Sequence, residues 1–230
     1  MKFITIFILV LLIFSLTFFR ESAALESGDD ATPLFVQAFD ISSQDTAPRG
    51  LTFNDDGSKM YTTGTAGQEI NQYNLSTNFD VSTASFVHKF STSSTETVPM
   101  SVKFNNDGTK MFIVGSGGDE VNEYILTTAF DISTASHESF VSVQSQESCA
   151  WALDFNNDGT KMFITGNQGD DINEFSLNVA FDLSEGVNFV QNKDLSKIAL
   201  NATEDEPFGI EFNGDGTRMF MVGTRGNHIN

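Results

Sequence analysis

The nonapeptide Phe-Asn-Asn-Asp-Gly-Thr-Lys-Met-Phe occupies Phe104–Phe112 and returns unchanged at Phe155–Phe163. Close variants stand at Phe53–Tyr61 and Phe212–Phe220, so the leading phenylalanines are 51, 51 and 57 residues apart. A period near fifty describes an array of like supersecondary units, each too small to bury its apolar surface without a neighbour. That constraint sets aside the one- or two-domain expectation that the 230-residue length alone would give.

The second unit shows what each one contains. Ser101–Phe104 alternates as a short strand, and Asn105–Thr109 carries turn chemistry. There Asp107 can accept from the backbone nearby, and Gly108 can take the positive φ of a bulged hairpin. Lys110–Val114 is apolar at successive positions, as for a strand covered on both faces. A glycine turn leads to a third strand over Glu120–Leu126. A Phe130–Thr134 corner, where Asp131 and Ser133 can bond the backbone, leads to a fourth over His137–Val143. Four short antiparallel strands per fifty residues describe a propeller blade. The same landmarks recur in register: the turns Gly64-x-x-Gly67, Gly115-x-x-Gly118, Gly166-x-x-Gly169 and Gly223-x-x-Gly226, and the corners at Phe79 and, worn, at Phe181. Asn71, Asn122, Asn173 and Asn230 recur on the third strands and are expected to bond backbone.

The fold class expected is all-β: a β-propeller with an opening strand near Leu34–Phe39, three full blades and a truncated fourth. The repeats run near 45–95, 96–146, 147–203 and 204–230, within a propeller part of 34–230. A seven-blade ring at this period needs roughly 350 residues, so the chain reads as a fragment of a longer protein. The Asp-Gly-[Ser/Thr]-[Lys/Arg]-Met-[Phe/Tyr] hairpin, its glycine turn and its Asn-x-[Tyr/Phe] strand resemble the propeller repeats of the YVTN and WD40-like families. Those often carry Pro before Asp-Gly, where Asp55, Asn106, Asn157 and Gly214 stand here. The resemblance covers 34–230 and implies a fold rather than an activity, since such propellers serve as enzymes, ligand binders and scaffolds.

Ahead of the repeats, Phe3–Phe19 is an apolar run, expected to be helical, interrupted only by Thr5, Ser15 and Thr17. Lys2 before it and Ser22-Ala-Ala24 after it give the order of a signal peptide over 1–24, followed by a polar linker over 25–33. The competing expectation is an uncleaved membrane anchor over 3–19. Either way the propeller is expected outside the cytoplasm, secreted or held at the surface, with membrane contact only if the segment is retained. Asn74-Leu-Ser76 and Asn201-Ala-Thr203 are glycosylation acceptors if the source is a secreting eukaryote.

A formal charge of −19 repels phosphate backbones and excludes nucleic acid as a partner. Cys149 is the single cysteine, so there is no intrachain disulfide. His88, His137 and His228 show no zinc spacing. Alternating strands sort the loops onto two rims. One rim holds the hairpins and corners. The other holds the loops leading into each blade, with Asp45, Glu96, Glu147 and Glu204 eight positions before each leading Phe. Such carboxylates either draw cations or a basic partner to the channel or are ordinary solvated charge. Beside them Arg49, Met100, Trp151 and Phe208 share one position that varies while its surroundings repeat, as expected where a repeat scaffold individualises a binding surface. Trp151 suits stacking on a sugar or packing between blades.

The function expected is a binding or interaction module for a glycan or protein surface. The alternatives are a propeller enzyme of glycosidase or metal-dependent lactonase type, and a structural or adhesive segment of a surface protein. Glycosidases need a carboxylate pair about 5–10 Å apart, and no pair stands out from the repeat. The sialidase Asp box fails because Asp107 and Gly108 are adjacent. For a lactonase-like metal site only Glu96 and Glu147 with their repeats qualify. Calcium at Asn105-x-Asp107-Gly108 is disfavoured, because Phe104 precedes the Asn and Lys110 lies two residues past the Gly. No catalytic residue, metal ligand set or cofactor is assigned.

Overall fold

The computed structural model describes residues 36–195, 207–213 and 216–223. The leader at 1–24, the linker at 25–33, Glu204, Asn201, His228 and Asn230 lie outside them. Among the described residues no helix is long and apolar enough to cross a membrane.

Three four-stranded antiparallel blades and a two-stranded unit follow one another in chain order. The first blade holds β1 (Pro48–Phe53), β2 (Lys59–Gly64), β3 (Glu69–Leu75) and β4 (Ala84–Ser91). The second holds β5 (Pro99–Phe104), β6 (Lys110–Gly115), β7 (Glu120–Leu126) and β8 (Ala135–Ser142). The third holds β9 (Ala150–Phe155), β10 (Lys161–Gly166), β11 (Asp171–Val179) and β12 (Asp182–Asp194). The last pair is β13 (Pro207–Phe212) and β14 (Met219–Gly223).

The hairpin is built as its residues dictate. Asp107 Oδ1 accepts from the Thr109 amide at 2.9 Å, and Gly108 takes φ +71°. The corner closes back on it: the Phe130 amide donates to the Gly108 carbonyl at 2.9 Å, and the Phe130 ring lies over the glycine. Asp131 caps a short 3-10 turn, Ile132–Thr134, by accepting from the Ser133 amide at 3.0 Å, while the Ser133 hydroxyl donates to Asp131 rather than to backbone. In the third blade the same Asp–Ser bond forms at Asp182, but the chain passes straight into β12 with no 3-10 turn. A Cβ at Gly108 would overlap the Phe130 ring. Gly108→Ala is therefore expected to cost about 2–4 kcal/mol, combining backbone strain at positive φ with overpacking. Urea unfolding checks this, and a loss under about 0.5 kcal/mol would contradict it.

Cross-strand partners share a face, so register assigns each blade two sides. In the second blade Met111 pairs with Tyr124 and Ile113 with Asn122 on the side toward the first blade; Phe112 pairs with Glu123 toward the third. Apolar cores fill the three interfaces between successive units.

The expected opening strand is not a strand in its described part. Residues 36–40 carry no ladder, because the in-plane partner of such a strand is the third strand of another blade. Phe39 nevertheless packs edge-on against Tyr73 at 5.7 Å, as Phe90 of β4 packs against Tyr124 at 5.2 Å, so it takes the place of a preceding blade's fourth strand.

Candidate functional site

The first strands line the channel. Arg49, Met100, Trp151 and Phe208 are the second residues of β1, β5, β9 and β13, inside the strands rather than before them as the sequence suggested. All four border one open cleft of about 490 Å³. Trp151 and Phe208 stack face to face at 4.0 Å with their planes 4° apart. Met100 is buried, Trp151 half-buried, Phe208 39% exposed, and Arg49 exposed. The next position along is small in each strand: Gly50, Ser101, Ala152 and Gly209. Gly50 shows the reason, since its amide donates to Thr63 Oγ1 at 2.6 Å and Thr63 donates to the Met100 carbonyl at 3.0 Å. A Cβ at Gly50 would overlap the Met100 carbonyl of the adjacent inner strand.

Deeper in the same channel Lys103, Asp154 and Glu211 share another repeat position, held by Thr52 in the first blade. Lys103 pairs with Asp154 at 3.3 Å and also with Glu211, and Asp154 Oδ2 accepts from the Phe212 amide at 2.8 Å. Burial pushes the Asp154 carboxyl up, an effect Lys103 opposes and Glu211 reinforces. Sequence reasoning missed this triad. The available signal was the one that marked Trp151: a position whose charge changes while its flanks repeat.

The loop carboxylates require a correction. Asp45, Glu96 and Glu147 are 3%, 0% and 1% exposed, so they are neither solvated charge nor open to a partner. Glu96 accepts from the amides of Val98 at 2.6 Å, Gly117 at 2.9 Å and Gly118 at 3.2 Å. Glu147 accepts from Cys149 at 2.9 Å and Gln168 at 3.0 Å, and Asp45 from Ala47 and Gly67. Two loops that meet at the rim leave backbone N–H groups without partners, and the carboxylate satisfies them. Burial, the main cause, pushes the Glu147 carboxyl up to about 7, with the Cys149 and Gln168 amides opposing and Asp171 and Asp119 adding to the rise. Glu69 and Asp171 are likewise buried, the first beside Lys89 at 3.1 Å and the second accepting from Asn173 at 2.7 Å and Asn192 at 2.6 Å.

The third-strand asparagines also differ from expectation. Asn122 meets His137 at 3.1 Å and Asn173 donates to Asp171, so both use side-chain partners; neither polar atom of buried Asn71 has a protein partner. The backbone of those strands is already consumed by its ladders. Among the described residues no group of three His, Cys, Asp or Glu side chains stands where it could hold a metal ion.

No protein-family model matches the sequence, and no curated protein matches it. Solved structures do match in fold. A candidate 6-phosphogluconolactonase from Bacteroides uniformis aligns at 12% identity and TM-score 0.55, over 79% of this chain and 49% of its own. The Cps50 (Swd1) β-propeller domain of Myceliophteria thermophila aligns at 10% and 0.51, over 80% and 52%. The periplasmic gluconolactonase of Pseudomonas aeruginosa aligns at 11% and 0.52, over 79% and 48%. The chain therefore has a β-propeller repeat fold and spans about half the length of these structures.

Proposed function

We propose that this propeller is a secreted or cell-surface binding module whose ligand seat is the channel mouth formed by Arg49, Met100, Trp151 and Phe208. One observation carries the proposal: the four positions that vary within a repeating scaffold border a single cleft. The exposed Phe208 ring beside Trp151 offers an apolar or sugar-stacking surface, and Arg49 a cation on the border of the same cleft. Those groups suit a glycan or protein surface that carries both a flat apolar face and an anionic group. The loop carboxylates have no part in it, being internal. The glycosidase or lactonase alternative needs free carboxylates in this cleft; Glu211 is the carboxylate that borders it among the described residues, and Lys103 engages it together with Asp154.

On an array of neutral and acidic glycans, Trp151→Ala is expected to weaken the protein's preferred ligand by roughly tenfold or more. Arg49→Ala is expected to weaken acidic ligands selectively. Binding unchanged in both folded variants, or no ligand for the unmodified protein, would overturn the proposal.

A further inference from the structure

The buried carboxylates at the entries to the second and third blades are not equally held. Glu96 accepts from three residues, Val98, Gly117 and Gly118, while the described donors to Glu147 are two, Cys149 and Gln168. The turns account for the difference. Gln168 stands where Gly117 stands in the second blade, and Gly169 takes φ +91°, a left-handed backbone that Gly118 at the same position does not adopt. No ion pair among the described residues reaches Glu147. The charges that face it are acidic: Asp171 on the turn after β10, with Asp170 and Asp194 behind it, and Asp119 on the turn after β6. Lys193, the cation near the end of β12, is exposed and forms no ion pair among the described residues. Burial pushes the Cys149 thiol up, so the remaining group on this loop stays protonated at neutral pH.

The same loop presents Trp151. Cys149, whose amide Glu147 holds, accepts through its carbonyl from the Asn167 amide at 3.1 Å, and β9 begins at the next residue. The Cys149 thiol is within hydrogen-bonding reach of the Trp151 side chain and of Ser116. Glu147 and the turn after β10 thus fix the start of β9, and with it the ring that stacks on Phe208.

We propose that Glu147 is a proton-operated latch that positions Trp151 at the channel mouth. It touches no ligand and acts through Cys149. As a control on binding the latch rests on the ligand reading above; its movement does not, and can be followed without ligand. Ionised Glu147 offers both oxygens, Oε1 to the Cys149 and Gln168 amides and Oε2 to Gln168 at 3.2 Å. A proton on Oε2 sets a donor against the Gln168 amide and leaves the other bonds neutral, about half as strong as charge-assisted ones. The turn then loosens and Trp151 loses its fixed stack. Burial, with Asp171 and Asp119 adding and the two amides opposing, pushes this carboxyl up to about 7, which brings the exchange to neutral pH. A carboxyl raised in this way binds its proton more tightly folded than unfolded, so acidification through that range does not cost global stability. The change is local to the rim.

Trp151 is the one tryptophan of the chain, so its emission reports the latch directly. Titrated without ligand, emission and acrylamide quenching should change in one transition centred at about pH 7, with an unchanged far-ultraviolet spectrum. Quenching should be at least about twofold stronger on the acid side. Glu147→Gln, neutral throughout, should keep the acid-side signal at every pH. Asp119→Asn removes a facing charge at a φ of +52° that asparagine tolerates, and should lower the midpoint. A flat signal in the unmodified protein, a transition that survives in folded Glu147→Gln, or a midpoint unmoved in Asp119→Asn would each overturn the inference. Should Glu147→Gln not fold, Asp119→Asn still decides. On the glycan array, binding by the unmodified protein should weaken about fivefold or more on the acid side of the transition. Binding that ignores pH while Trp151 titrates would overturn the control of the seat. A titrating Trp151 with no array ligand at any pH would overturn the ligand reading and uphold the latch.

Discussion

Glu96→Ala is expected to lower the free energy of unfolding by about 3–5 kcal/mol, although Glu96 sits in a surface loop of an acidic protein. Its carboxylate is fully buried and accepts three backbone amides, from Val98 on its own loop and from Gly117 and Gly118 on the turn between β6 and β7. Alanine leaves all three donors without an acceptor, at about 1–3 kcal/mol apiece less what entering water restores. It also releases the side-chain tie between two loops that would otherwise be linked, beyond the ends of β5 and β6, by the Ser116 amide donating to the Val98 carbonyl at 3.3 Å. Glu96→Gln keeps one oxygen for Val98 and Gly117 but turns an NH₂ group toward the Gly118 amide, so roughly half the loss is expected. Urea unfolding with an unchanged m-value measures both. The exposed Glu138→Ala serves as control, expected within about 0.5 kcal/mol of the unmodified protein. A loss under about 1 kcal/mol for Glu96→Ala would mean that the carboxylate only occupies the loop and does not hold it.

This clamp also marks where the sequence stops being legible. The strands were readable because each lies within a few residues of its own turn: β7 spans Glu120–Leu126 as the alternation predicts, and Asp107 and Gly108 act on their immediate neighbours. The positions that border the channel were readable because they break a pattern. Burial of Glu96 was not, since a carboxylate before a turn looks solvated and two of its donors lie 21 and 22 residues away. The repeat did hold a clue. A Cβ at Gly117 would overlap the Glu96 carboxylate, and Gly115 and Gly166 face Glu96 and Glu147 in the same way. An acid eight positions before Phe, recurring with a glycine that makes room for it, is the signature of an internal clamp. The residues at 36–40 show the opposite limit. Their side-chain pattern is that of a strand, but strand geometry depends on an in-plane partner that these residues do not supply.

Lys103→Met should cost a comparable amount, about 3–5 kcal/mol at neutral pH, and its dependence on pH distinguishes charge from packing. Lys103 lies between Asp154 and Glu211, with side chains of Lys103 and Asp154 each only 12% exposed. Methionine fills nearly the same volume, so packing changes little while the counter-charge disappears. Asp154 is then a buried carboxylate beside a second one, with only backbone amides, those of Phe212 and Phe155, left as donors. Its carboxyl is already pushed up by burial against the opposing pull of Lys103, so losing the lysine moves it further in the same direction. A carboxyl whose folded pKa stands above its unfolded one stabilises the folded state least at high pH, where both states are ionised. The penalty is relieved as pH falls and the folded state takes up its proton. The deficit of Lys103→Met is therefore expected to be largest at pH 7 and above and to shrink steadily on acidification. Adding Asp154→Asn should recover most of it at pH 7, because the uncompensated charge is what the single variant leaves behind. A deficit that is the same at all pH values, or that persists unchanged in the double variant, would assign the cost to packing and remove the ion triad as the element that ties the second, third and fourth repeats together at the channel.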